Sequence, residues 1–131
     1  MSVRLYNRIT ANRDLTLPDG RVVALRHPEK SVLLALAMFY NDREGYAWPT
    51  VRAIADVCSC SEDTVERSTR TLELHGVIVR VAEYNPDTGA RVGTWYFFPW
   101  YGPKPPARTV TRPHAFDVHG KRETEADWAT R

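Results

Sequence analysis

Cys58 and Cys60, one residue apart, are the first side chains in this sequence whose type invites a chemical reading. C-x-C spacing does not suit a bridge between the two thiols, because a disulfide wants well-separated Cα atoms with converging Cβ vectors. A metal centre needs more ligands than two, and His27, His75, His114 and His119 have no ligand-like spacing to the pair. Catalysis finds no better footing elsewhere. There is no glycine-rich phosphate loop, no metal-ligand cluster and no nucleophile with an evident base nearby in sequence. His75, near a predicted helix end, reads as a partner of the C-terminal dipole. The expectation is a protein that is not an enzyme and uses no cofactor.

The elements around the cysteines say more. Thr50 suits the cap of a helix that turns Val51, Ile54, Ala55 and Cys58 inward. Ser61 suits the cap of the next, with Val65, Ser68 or Thr69, and Leu72 inward, and Gly76 stands where a helix stop wants positive φ. Ahead of them, Pro28 to about Asn41 repeats Val32, Leu33, Leu36, Ala37 and Tyr40 at helical spacing, which predicts a buried scaffold helix. The following turn ends in a short extended piece, since Trp48 precedes a proline. "VIVRVAEY" and "ARVGTWYFF" are β-rich runs joined by Asn85-Pro86-Asp87-Thr88-Gly89, so they predict a hairpin. Alternation along the second run sends Trp95 and Phe97 to one face and Tyr96 and Phe98 to the other. A core plus a subunit contact is favoured there over a stacking platform for single-stranded nucleic acid.

The flanks differ in composition. Residues 1–27 read as a basic arm, loose before Arg13, followed by a small hairpin about Pro18-Asp19-Gly20. Residues 103–131 hold four prolines and both signs of charge, and read as an extended tail that orders only against a partner. The domain proper is then 28–102. At 131 residues, with 43% hydrophobic and 26% charged content, the chain sits in the ordinary soluble range and has room for one compact unit plus extensions. No apolar run approaches the roughly 20 residues that span a bilayer, and the N-terminus lacks a signal-like block. We expect a cytoplasmic protein with no membrane partner.

Helix, short strand, helix, turn, helix and hairpin is the order of a winged helix-turn-helix domain, an α+β class with a three-helix core. From Lys30 to about Phe98 the sequence resembles the winged helix-turn-helix family of phage and plasmid replication proteins and small bacterial regulators. The residues that carry this are Trp48-Pro49-Thr50, Ile54-Ala55, Cys58-Ser59-Cys60-Ser61, Thr64-Val65, Arg67, Leu72-Glu73 and Gly76-Val77-Ile78. In that family leucine and valine stand where this chain has Cys58 and Cys60, which implies small buried hydrophobes between two helices. Ser59 replaces the family's usual turn glycine.

The resemblance implies double-stranded DNA as partner, read in the major groove by helix 61–75 and on the backbone by the wing 84–91. Base-edge contacts would come from Thr64, Glu66, Arg67 and Arg70: an arginine forked onto guanine, Glu66 accepting from a cytosine amine, Thr64 at a phosphate or thymine methyl. Arg52, Asn85, Thr88 and Arg91 are the expected phosphate contacts. Arg4 and Arg8, with Arg13, would reach a neighbouring minor groove, and Lys104, Arg108 and Arg112 would track phosphates. A homodimer on palindromic half-sites is expected, with a replication or transcription protein as a further partner. Charge pulls the other way. Residues 28–102 carry seven cations against ten carboxylates, and the reading helix begins Glu62-Asp63. Those carboxylates favour the helix dipole but repel phosphate. The alternative is therefore a protein-interaction adaptor or inhibitor that uses the acidic helix face.

Overall fold

A computed structural model of the chain describes residues 2–105 and 109–111. Helix α1 (Val3–Thr10) opens it, where the sequence suggested a loose arm. The Ser2 hydroxyl accepts the Leu5 N–H at 3.1 Å and donates to Asp42 at 2.7 Å. Leu5 and Ile9, one helical turn apart, are fully buried. An eight-residue helix has little stability of its own; the apolar i, i+4 pair docked beside α2 supplies it. Strands β1 (Asp14–Thr16) and β2 (Val22–Ala24) form the small antiparallel hairpin. Its turn is tied by Asp19, which accepts from the Arg21 backbone at 3.0 Å and from its guanidinium at 2.8 Å.

Helix α2 (Glu29–Phe39) buries Val32, Leu33, Leu36 and Ala37 and lies against α1, α3 and α4. α3 (Val51–Cys58) begins at Thr50, whose hydroxyl accepts the Ala53 N–H at 3.0 Å. α4 (Glu62–Leu74) begins at Ser61, which does the same for Thr64 at 3.1 Å. Between them Ser59 takes φ 53°, ψ 45°, a left-handed conformation that costs an L-residue about 1–2 kcal/mol. Ser59→Gly should therefore raise unfolding stability by about 1 kcal/mol, part of the gain being lost to glycine's freer unfolded chain. A urea midpoint that stays put or falls would contradict this.

β3 (Val79–Tyr84) and β4 (Arg91–Phe97) pair antiparallel, with Val81 opposite Trp95 and a register shift at Glu83 and Tyr84. Ala47 extends this sheet beyond β4 through reciprocal bonds with Tyr96 of 3.0 and 2.7 Å. On the other side β5 (Thr109–Thr111) runs parallel to β3, opposite Ala82 to Tyr84. This corrects the expectation that the chain after 102 is only an extended tail. The far edge of β3 offers unpaired backbone groups, and Thr-Val-Thr is a β-branched run able to take them. Arg108 and Arg112 lie outside the described residues.

The period of two in β4 divides its aromatic residues as expected. Tyr96 and Phe98 join the main core with the helices, while Trp95 and Phe97 join Tyr46 and Val81 on the opposite face. Trp95 stacks on Tyr46 at 4.4 Å and 14°, and its indole N–H donates to Glu83 at 2.8 Å. These rings are buried against one another, so they offer no open platform for unpaired bases.

Candidate nucleic-acid interface

α4 is held from below by Val65, Ser68, Thr69 and Leu72, all buried, and this fixes which side chains face out. Glu62, Asp63, Glu66, Arg67 and Arg70 are exposed. Arg67 forms an i, i+4 ion pair with Asp63 at 3.1 Å, both side chains mostly in solvent. Such a pair is worth at most about 1 kcal/mol and can be exchanged for another anion. No carboxylate among the described residues lies within ion-pair distance of Arg70. Thr64 is half-buried, its hydroxyl 2.9 Å from that of Ser61, and it borders a groove with Pro28 and Glu29. That hydroxyl serves the cap.

Two residues not singled out in the sequence organise the side of α4 nearest the sheet. Glu73 accepts the Arg80 backbone N–H at 2.9 Å and its guanidinium at 2.9 and 3.2 Å. Arg80 then stands 4.0 Å from Glu66 and offsets part of its charge. A cation in a β-rich run is the only sequence signal for this arrangement, and it does not name the partners.

On the hairpin, Asn85 and Thr88 build the loop. The Asn85 side-chain oxygen Oδ1 accepts from the Asp87 and Thr88 N–H groups at 2.8 and 3.4 Å, and the Thr88 hydroxyl accepts from the Ala90 N–H at 3.2 Å. Arg91 is exposed, its guanidinium donating to the Thr94 hydroxyl. Arg52 is exposed on the first turn of α3. Thr50, Val51, Glu66, Arg80, Arg91 and Tyr96 border one cleft, so the start of α3, α4 and the hairpin converge. Arg4 and Arg8 do not join them. They project from α1 into a separate cleft with Tyr40, Asp42 and Tyr101, and Arg8 lies 5.3 Å over the Trp100 ring. A docked helix rather than a free arm carries them, which corrects the expectation of a loose arm before Arg13.

Cys58 and Cys60 pack against the main core, and the Cys58 thiol donates to the Ser31 carbonyl at 3.4 Å. Burial pushes the Cys58 thiol up, away from the thiolate a nucleophile needs. Burial likewise pushes Tyr96 up to about 12, with the Glu66 charge adding to it, and burial pushes Tyr40 up to about 12. Both phenols resist ionisation in the fold more than in the unfolded chain. Their stabilising contribution is complete below pH 10 and is lost as pH rises towards 12. Alkaline unfolding should begin in that window, and two of the six tyrosines should titrate spectroscopically only at its upper end. Uniform titration of all six near pH 10 would contradict it.

No described helix is long and apolar enough to cross a membrane. No curated protein and no solved structure matches the chain. Residues 24–78, which run from the end of β2 through α2, α3 and α4 to the residue before β3, match the model of a family described as a helix-turn-helix domain.

Proposed function

We propose that this protein binds double-stranded DNA in a sequence-specific way as a winged helix-turn-helix. α4 lies in the major groove and the β3–β4 hairpin acts as the wing on the adjacent backbone. One observation carries the reading. Within the stretch that matches the helix-turn-helix model, α4 buries Val65, Ser68, Thr69 and Leu72 and turns Glu66, Arg67 and Arg70 outward, Arg52 is exposed on α3, and Glu66 borders one cleft with the exposed Arg91 of the hairpin. Arg70 and Arg67 are the guanine readers and Glu66 the acceptor for a cytosine amine. Arg52 and Arg91 grip phosphates. The role is that of a small cytoplasmic transcriptional regulator or an origin-binding component of phage or plasmid replication, acting as a homodimer on palindromic half-sites.

The acidic leading turn, Glu62 and Asp63, favours a second reading as a protein-interaction adaptor. Selection of bound duplexes from a random pool, followed by titration at several salt concentrations, separates the two. With four cations engaged, log affinity should fall against log salt with a slope of about −3 to −4. Absence of an enriched motif and of any duplex binding at low salt would overturn the DNA reading in favour of the adaptor.

A further inference from the structure

The cleft between the hairpin, the start of α3 and the outer side of α4 has a volume of about 590 Å³, within the usual range for small-ligand sites. Trp48, Val51 and Val92 give it apolar walls, while Tyr96, Glu66 and Arg91 give it polar atoms. Tyr96 is 3% exposed, its ring in the main core, yet its hydroxyl has no hydrogen-bond partner among the described residues. Tyr96 lines the cleft together with Glu66, Arg80 and Arg91. A hydroxyl that borders a cleft can donate to and accept from a group that enters it.

The chemistry of that occupant follows from what each group can still do. Tyr96 stays neutral at physiological pH and offers one donor and an acceptor. Glu66 accepts only, so it wants an N–H donor. Arg80 is committed to Glu73, which leaves Arg91, steadied by Thr94, as the cation at the rim. Apolar walls around an acceptor and a hydroxyl, with a single cation outside, fit a flat heterocycle that bears amine hydrogens and one anionic group.

We propose that this cleft binds a nucleotide, with the base between the walls against the Tyr96 hydroxyl and Glu66 and the phosphate on Arg91. The nucleotide is either a free monophosphate or one residue of an unpaired DNA strand. The inference does not depend on duplex recognition. It is tested by titrating the full chain with AMP, CMP, GMP and TMP, and with a short single-stranded oligonucleotide, by calorimetry and by NMR shifts. Saturable binding is expected, stronger for the three amine-bearing bases than for TMP. Tyr96→Phe keeps the ring in the core and should weaken binding about five- to tenfold. Arg91→Ala should weaken it about tenfold, and Glu66→Gln should erase the preference over TMP.

An oligonucleotide that binds more tightly than the monophosphates, and still needs Tyr96, supports the strand as the source; equal or weaker binding supports the free nucleotide. No saturable binding of any probe, or binding unaltered in both Tyr96→Phe and Arg91→Ala, would overturn the inference. A parallel duplex titration keeps the two proposals apart. Nucleotide binding lost with duplex binding intact sinks this inference alone, and the reverse sinks only the duplex reading.

Discussion

Arg70→Ala is expected to weaken binding of the selected duplex by about tenfold to a hundredfold, or about 1–3 kcal/mol, and to relax specificity at one base position. The guanidinium is exposed on the outward side of α4, and no described carboxylate holds it at rest. Nothing has to be broken before it forks onto a guanine edge, and the whole contact counts towards affinity. Arg67 differs, because it must first leave Asp63 at 3.1 Å. Its alanine variant should therefore lose less than that of Arg70. Asp63→Asn should move the other way, strengthening duplex binding several-fold by releasing Arg67 and removing a carboxylate that faces phosphate. That gain carries a structural cost of about 0.3–1 kcal/mol, since Asp63 sits in the first turn and favours the helix dipole. Binding titrations of the three variants at one salt concentration, with thermal melts alongside, check the order. If Arg70→Ala binds as the parent does, α4 is not the reading element.

The parts of this architecture governed by local rules could be read from the sequence. Thr50 and Ser61 accept the N–H groups their cap positions imply, and Gly76 takes φ 74° at the helix stop. The inward set of α4 follows from helical period alone, and the division of Trp95 and Phe97 from Tyr96 and Phe98 follows from the period of two. What escaped depends on distant contacts. Leu5 and Ile9 form too short a stripe to predict a helix without the surface of α2 to receive it, so the arginines beside them suggested an arm. β5 pairs with a strand some thirty residues earlier, and its three residues carry no signal of that pairing. Glu73 and Arg80 come from different elements, and only the folded geometry joins them. The same holds for the candidate site: the period identified the exposed residues of α4, but not that Arg67 is paired, that Asn85 and Thr88 serve the turn, or that Arg4 and Arg8 line a separate cleft.

Trp100→Ala should lower unfolding stability by about 3–5 kcal/mol, a large share of the roughly 5–15 kcal/mol that holds a domain folded. Trp100 is 9% exposed and donates its indole N–H to the Val77 carbonyl at 2.8 Å. Its ring meets Phe98 edge-on at 5.9 Å and carries Arg8 above it. Removing it empties ring volume, leaves the Val77 carbonyl without that donor and takes away a surface on which α1 rests. Trp100→Phe separates these effects, since it keeps most of the volume and loses only the donor, at a cost of about 1–3 kcal/mol for the buried carbonyl. Function should part from stability here. Val65 and Leu72 aim Arg67 and Arg70, and Trp100 touches neither outward arginine. Below its lowered melting temperature, Trp100→Ala should therefore bind duplex within a few-fold of the parent, whereas Leu72→Ala, at a cost of about 2–5 kcal/mol, should lose both stability and affinity. A Trp100→Ala protein that melts as the parent does would mean that the indole does not anchor α1 to the start of β3.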